Sequence, residues 1–265
     1  MSGPLEAKKI IVTREEINNR YFAKKILQYG GTPIEVPLLS ITCEDRKENK
    51  TILNDLDQYE WIFFTSANGV ECFFQLVEMY HIPFSNINNK KIAAVGRKTK
   101  DKLNNFGIKV DFIPTTFNAE TMAKEFLSSY SVTKQVLFVR GNLSRPVLIE
   151  EFEKAGVSYR TIEVYKTTIK EENKQLLNKA VEGPYDFITF TSPSAIDAFN
   201  KLTEYVITKP CVCIGTTTKQ RALERGITNI LMPMEEFTID AMIECMVNYI
   251  KERQEEQWNL NDIED

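Results

Sequence analysis

Residues 62–70 read Ile62-Phe63-Phe64-Thr65-Ser66-Ala67-Asn68-Gly69-Val70, and residues 188–196 read Ile188-Thr189-Phe190-Thr191-Ser192-Pro193-Ser194-Ala195-Ile196. Each is an apolar run of β type that stops at a Thr-Ser pair and then turns helical. A second pair lies downstream. Ala93-Ala94-Val95-Gly96-Arg97-Lys98-Thr99 runs on to Phe106-Gly107-Ile108 and Pro114, while Val212-Cys213-Ile214-Gly215-Thr216-Thr217-Thr218 runs on to Arg225-Gly226-Ile227 and Pro233. The spacing is regular. Arg14 to Arg140, Gly30 to Gly156 and Thr65 to Thr191 each step by 126 (140 − 14). Gly96 to Gly215, Gly107 to Gly226 and Pro114 to Pro233 step by 119 (215 − 96). A stable shift that shortens once is what duplication followed by a loop deletion leaves, and it is more specific than any one short motif.

Between these landmarks strand and helix alternate. Residues 9–13 read as a strand, Thr13-x-x-Glu16 as a capping box opening a helix toward Tyr29, and Gly30-Gly31 as its stop. Residues 32–41 are extended, and a charged stretch over 44–50 leads into a short helix ending near Tyr59. Strands over 61–64, 91–95 and 110–113 then alternate with helices over 68–80 and 97–106, and Asn118 caps a helix to Tyr130. The pattern restarts with a strand over 136–139, the turn Arg140-Gly141-Asn142 and a helix to Ala155. An extended run over 159–168 follows, then strands over 187–190, 211–214 and 229–232 among helices over 171–180, 194–202, 217–225 and 238–250. This alternation is the mark of parallel α/β sheets. The stretch from Lys251 is polar and acidic, and its last residues read as mobile.

Composition sets the outer bounds. A chain of 265 residues, 43% hydrophobic and 26% charged, suits two modest α/β domains of a soluble protein. A net charge of −4 leaves no global basic surface for nucleic acid. No run approaches transmembrane length, and no basic start precedes an apolar stretch, so no membrane contact or export signal is expected and the expected location is cytoplasmic. The cysteines are odd in number and scattered: Cys43, Cys72, Cys211, Cys213 and Cys245 read as free, mostly buried thiols in a reducing cytosol. The single histidine, His81, precedes Pro83 in a turn. No Ser-His-Asp, Cys-His or metal-ligand arrangement can be assembled, and neither glycine corner spells a phosphate loop or a dinucleotide fingerprint. Chemistry without a metal or nucleotide cofactor is therefore expected.

The paired loops define the candidate site. In an open parallel sheet, ligands collect outside the carboxyl ends of the strands, where helix N-termini present unpaired N–H groups suited to carboxylate or phosphate. The corners supply Thr65, Ser66, Asn68, Gly96 and Thr99 from one copy, and Ser192, Ser194, Gly215, Thr217 and Thr218 from the other. Arg14 and Arg140 end matched strands. Each has a plain structural alternative: Ser192 before Pro193 makes a good N-cap, Ser66 can be no more than that, and Arg14 can pair with Glu15 or Glu16. Four such loops in two matched pairs favour a shared anion-binding cleft. Tyr165, in Ile162-Glu163-Val164-Tyr165-Lys166-Thr167, breaks the duplication, since the matching Pro37-Leu38-Leu39 has no phenol. Its plain alternative is a half-buried strand tyrosine.

Taken in order, these motifs resemble the uroporphyrinogen-III synthase family. The elements that carry the resemblance are Val12-Thr13-Arg14, Phe64-Thr65-Ser66-x-x-Gly69-Val70, Ala94-Val95-Gly96-x-x-Thr99, Val164-Tyr165-x-Thr167, Phe190-Thr191-Ser192-Pro193-Ser194-Ala195 and Ile214-Gly215-x-Thr217-Thr218, spread over residues 8–250. The resemblance implies two flavodoxin-like parallel-sheet domains joined by a two-stranded connector. It implies that they interleave, with residues 1–37 and 167–265 in one domain and 38–166 in the other, crossing near 36–41 and 163–168. It further implies an enzyme that closes the linear tetrapyrrole hydroxymethylbilane to uroporphyrinogen III in an interdomain cleft, with loss of water, inversion of ring D and no cofactor; a monomer is the default expectation.

Under that resemblance Tyr165 matches the tyrosine proposed to assist departure of the terminal hydroxyl, and a phenol, protonated at neutral pH, is available as a donor. The substrate's eight carboxylates would account for the loop donors, and holding ring D for attack through its substituted carbon is catalysis by positioning. Two places depart from the family pattern: Ala67-Asn68 stands where the second copy has Pro193-Ser194, and Thr216 stands where proline is frequent. Two other readings remain open. A non-enzymatic bilobed binding or sensor module for a small anion would use the same helix N-termini without needing Tyr165. A sugar-phosphate isomerase would need a positioned Glu or His base, for which no candidate stands out.

Overall fold

The computed structural model describes residues 3–261, without the side chains of residues 16–18 and 256–261. In chain order the elements are β1 (Lys9–Val12), α1 (Glu16–Gln28), β2 (Thr32–Glu35), β3 (Leu39–Cys43), α2 (Lys47–Asn54), β4 (Tyr59–Phe64), α3 (Ala67–Met79), α4 (Phe84–Asn88), β5 (Lys91–Ala94), α5 (Arg97–Asn105) and α6 (Ala119–Ser129). They continue as β6 (Gln135–Gly141), α7 (Val147–Lys154), β7 (Tyr159–Ile169), α8 (Lys174–Glu182), β8 (Phe187–Phe190), α9 (Pro193–Leu202), β9 (Cys211–Cys213), α10 (Thr216–Glu224), β10 (Ile230–Leu231) and α11 (Ile239–Asn261). The fold is mixed α/β, with two sheets in which parallel pairing dominates. The chain divides into two units, Met1–Ser40 with Thr168–Asp265, and Ile41–Thr167.

The first unit carries a sheet in the order β2-β1-β8-β9-β10, with β1 parallel to both β2 and β8, and β9 parallel to both β8 and β10. Its strands point alternate residues to opposite faces, so both faces are apolar. Ile11, Ile188, Phe190, Cys211 and Cys213 pack beneath α8, α9 and α10, while Ile10, Val12, Phe187 and Val212 pack beneath α1 and α11.

The second unit orders its sheet β3-β7-β6-β4-β5, and β7-β6-β4-β5 are mutually parallel. An isolated parallel bridge from Ala93 to Phe112 adds one more rung. Strand β4 shows the two-sided core plainly: Trp61 and Phe63 face α6 and α7, while Ile62 and Phe64 face α3 and α5. Strand β3 runs antiparallel to β7, because the Glu44 N–H bonds the Val164 carbonyl and the Lys170 N–H bonds the Leu38 carbonyl.

Several local expectations change. Thr13 does not cap α1: Glu15 stands at the N-cap position without a side-chain bond. Thr13 is instead buried, and its hydroxyl donates to the Thr189 carbonyl at 2.7 Å while the Thr189 hydroxyl donates to the Ile11 carbonyl at 3.0 Å. Two buried hydroxyls that must be satisfied find partners across the β1–β8 seam. Cys43 and Cys72 form a disulfide, with Cα atoms 5.1 Å apart, so two of the thiols read as free are bonded. Cys211 and Cys213 are free and buried, and Cys245 is free and half-buried. The helix expected over 238–250 runs on as α11 to Asn261, and residues 262–265, among the last residues read as mobile, lie outside the description. Among the described residues no helix is long and apolar enough to cross a membrane.

Candidate active site

Loops at the carboxyl ends of a parallel sheet part where successive connections reverse direction, and that point takes ligands. In the second unit the reversal falls between β6 and β4, and in the first between β1 and β8. Arg14, Thr65, Ser66 and Ser192 sit on the loops that leave β1, β4 and β8, and the two glycine corners follow the neighbouring strands β5 and β9.

In the second unit, β6 ends in Gly141, β4 leads to Thr65-Ser66, and β7 carries Tyr165. The ladder shifts register at the end of β6, so that Gly141 pairs with Tyr165. A methyl group on Gly141 would come within 2.3 Å of two Tyr165 ring carbons; the ring occupies the volume that glycine leaves. Its phenol oxygen accepts a 3.1 Å hydrogen bond from Ser66 Oγ, which itself accepts the Gly69 N–H at 2.9 Å. Ser66 is thus both the N-cap of α3 and the partner of the phenol. The side chain of Asn142 pins the strand next to the phenol, donating to the Thr167 carbonyl at 3.1 Å and accepting the Thr167 N–H at 2.8 Å.

Gly141 and Asn142 appeared in the sequence only as a turn. The signal that marks Gly141 is a glycine in an apolar strand, but the ring that requires it comes 24 residues later (165 − 141). Thr65 and Asn68 are half-buried around Ser66. Arg140 turns into its own loop, where Nη2 donates to the Ser144 carbonyl at 2.8 Å. Gly96 is the N-cap of α5 in extended conformation. A Cβ there would lie 3.1 Å from Phe117 Cβ.

In the first unit, Ser192 caps α9 by accepting the Ala195 N–H at 3.2 Å, with Pro193 in the first turn, and its hydroxyl lies 3.0 Å from that of Ser194. Gly215 is the N-cap of α10, and a Cβ on it would meet the Phe237 ring at 3.3 Å. The two glycine corners match in exposure: a buried glycine, two exposed residues (Arg97-Lys98 and Thr216-Thr217), then a buried threonine. Thr99 and Thr218, expected from sequence among the substrate contacts, are buried, at 4% and 2% exposure. Arg14 pairs with Glu15 at 3.3 Å, the ion pair named as its plain alternative.

The arrangement gathers Tyr165, Ser66 and Gly69 into one cluster and Ser192 with Ser194 into another. What these clusters present is neutral: hydroxyls, one phenol and backbone N–H groups at helix starts, which bind anions and hold protons. The Cys211 thiol is pushed up by the Cys213 sulfur 3.9 Å away and by burial, which disfavours a thiolate there. Among the described residues no group of three or more His, Cys, Asp or Glu could hold a metal ion.

Residues 21–244 match the family described as Uroporphyrinogen-III synthase HemD. The chain is 26% identical over 251 residues to the porphyrin biosynthesis protein HemD of Ruminiclostridium josui, covering 93% of this chain and 49% of that one, so it spans about half the length of this relative. It is 28% identical over 236 residues to a uroporphyrinogen-III synthase of Chlorobaculum parvum, covering 85% of this chain and 93% of the relative. A crystal structure of a mutant uroporphyrinogen III synthase from Thermus thermophilus is alike in fold, with a TM-score of 0.70 over 93% of this chain and 100% of that one at 14% identity. With a family match running through most of both units, the chain belongs to the uroporphyrinogen-III synthase family.

Proposed function

We propose that this chain closes hydroxymethylbilane to uroporphyrinogen III, with loss of water and inversion of ring D. The observation that carries the reading is the seating of Tyr165: a phenol on β7, packed over Gly141 at the end of β6, whose oxygen already accepts from Ser66 on the loop leaving β4. With that lone pair occupied, the phenolic hydrogen is left for a ligand. The order of donation runs Gly69 N–H to Ser66 Oγ, Ser66 O–H to Tyr165 oxygen, and Tyr165 O–H outward.

The terminal hydroxyl of the substrate leaves as water by taking the Tyr165 proton, which opens the electrophilic azafulvene. The charge left on the phenol oxygen is met by the Ser66 hydroxyl and the positive end of α3. Ring D then attacks through its substituted carbon to give a spiro intermediate, the bond from that carbon to the methylene bridge of ring C breaks and re-forms at ring D's other α-carbon, and the proton lost there as the ring regains aromaticity restores the phenol. One water leaves in total.

In this reading the carboxylates are taken by the corner N–H groups with Thr65, Asn68, Gly96 and Arg140 in the second unit, and with Arg14, Ser192, Ser194, Gly215 and Thr217 in the first. Thr99 and Thr218 complete the two corners as further substrate contacts. The two units descend from one duplicated flavodoxin-like domain, bounded at 1–37 with 167–265 and at 38–166, and β3 with β7 forms the two-stranded connector. The antiparallel pairing of those strands and the matched exposure of the two glycine corners support this history. The protein works as a cytoplasmic monomer without nucleic-acid partners, where its Cys43–Cys72 bond meets reducing thiols. A binding module without chemistry would have no use for the Tyr165 relay, and the family match favours the enzyme.

The test is direct. Purified protein given freshly prepared hydroxymethylbilane should yield the type III isomer, and finding only type I at the spontaneous rate would overturn the reading. Tyr165→Phe should lower kcat on the order of 10²-fold with the circular dichroism spectrum unchanged. Full activity in that variant would remove Tyr165 from the chemistry while leaving catalysis by positioning in place.

A further inference from the structure

Two aromatic rings are left unexplained by the packing. Phe117 and Phe237 are 50% and 48% exposed. They occupy equivalent places, each directly before the N-cap residue of a helix: Asn118 Oδ1 accepts the Thr121 N–H at 2.7 Å, and Thr238 Oγ1 accepts the Ala241 N–H at 3.1 Å. An apolar residue there ordinarily staples itself to the fifth residue onward, here Met122 and Met242. Both methionines are fully buried, whereas the rings stay half exposed. Phe117 lies on Gly96, and Phe237 lies on Gly215, close enough that a Cβ on either glycine would press on ring carbons at 3.3 Å. Each unit therefore holds an exposed phenyl ring against the glycine that opens its corner, beside the first N–H groups of α5 or α10.

We infer that Phe117 and Phe237 are stacking platforms, each taking one pyrrole ring of hydroxymethylbilane. The inference rests on the function proposed above and adds to it how the substrate's rings, rather than its carboxylates, are held. The chemistry fits on both sides. A substrate pyrrole is a flat, electron-rich ring with carboxylate arms; each corner sets an aromatic face next to backbone N–H donors, so ring and arm are met together. Gly96 and Gly215 have extended backbone that any residue adopts, so the close approach of the phenyl ring is the reason for glycine there. The platforms are not twins. The Arg97 guanidinium lies 5.7 Å from the Phe117 ring centroid, whereas Thr216 holds the matching place beside Phe237. The Phe117 corner thus offers a cation as well as a ring.

The test compares Phe117→Ala, Phe237→Ala, Phe117→Leu, Phe237→Leu, Phe117→Trp and Phe237→Trp in steady-state assays with hydroxymethylbilane, scoring KM, kcat and the ratio of type III to type I product. The Ala and Leu variants should each raise KM about tenfold, the scale of one lost aromatic contact, and the Trp variants should stay close to wild type. Leu keeps an apolar group on the glycine, so a rise in KM with Leu and not with Trp reads stacking rather than stability. Equal KM values for Leu, Trp and wild type would overturn the platforms. Wild-type protein that makes no type III isomer would overturn the proposed function itself, a result visible before any variant is tested.

Discussion

At the residue scale, the cluster around the phenol depends on a glycine that does no chemistry. The backbone of Gly141 does not require glycine: among the described residues the positive-φ glycines are Gly30, Gly107, Gly156 and Gly226, all at helix ends. What excludes a side chain from position 141 is the Tyr165 ring. Gly141→Ala should therefore push the phenol off Ser66, lower stability by about 1–3 kcal/mol in urea unfolding and reduce kcat as Tyr165→Phe does. Unchanged stability and turnover would mean that the ring has room to move without loss.

The same contrast shows what the sequence could reveal. Helix-stopping glycines follow from local backbone conformation and were readable. Tyr165 stood out because its repeat partner lacks a phenol. The need for Gly141, and the burial of Thr99 and Thr218, depend on neighbours brought by folding and leave no local signature.

At the element scale, hydrogen-bonding rules marked the helix starts at Asn118, Ser66 and Ser192, and each side chain does accept from its own first turn. The same rule misread Thr13, because its hydroxyl had a better partner on a strand that comes 176 residues later. The disulfide was hidden for a similar reason, since it joins the end of β3 to α3 and nothing local pairs Cys43 with Cys72. It closes a segment of 29 residues, and reduction or Cys72→Ser should cost about 3 kcal/mol in urea unfolding. An unfolding midpoint that does not respond to reductant would show that the bond adds nothing to the folded state.

At the opposite end of the second sheet from Tyr165, Glu60 ties three segments together. Its carboxylate accepts the Thr133 N–H at 2.8 Å and the Thr133 hydroxyl at 2.9 Å, and pairs with Lys91 at 3.2 Å. The Thr133 N–H, foremost, with its hydroxyl and Lys91, holds Glu60 down to about 2. A carboxyl lowered by folding stabilises the protein above its unfolded value and ceases to do so as pH falls through its folded value. Glu60→Gln should thus lose about 1 kcal/mol at pH 7, allowing for solvent screening. The gap should close as the pH is lowered from the ordinary carboxylate range toward 2. A gap that is constant with pH would assign the loss to packing instead.

At the scale of the whole molecule, strand–helix alternation made the α/β class readable, because a buried parallel strand and an amphipathic helix carry different periods. Strand order was not readable that way, since which strands pair is decided by how the layers close. The order in the first unit places β1, made at the start of the chain, beside β8, so that Lys9 and Asp186 bond across 177 residues. Synthesis from the N-terminus meets that arrangement in time. When β1 and β2 emerge, one edge of β1 has no neighbour, and it waits while residues 41–167 are made and can collapse on their own sheet. Only the arrival of β8 fills that edge and lets the Thr13 and Thr189 hydroxyls close across it. The stretch translated first, residues 1–40, therefore belongs to the unit whose sheet is completed last, and the nascent chain carries an unsatisfied strand edge through most of its growth.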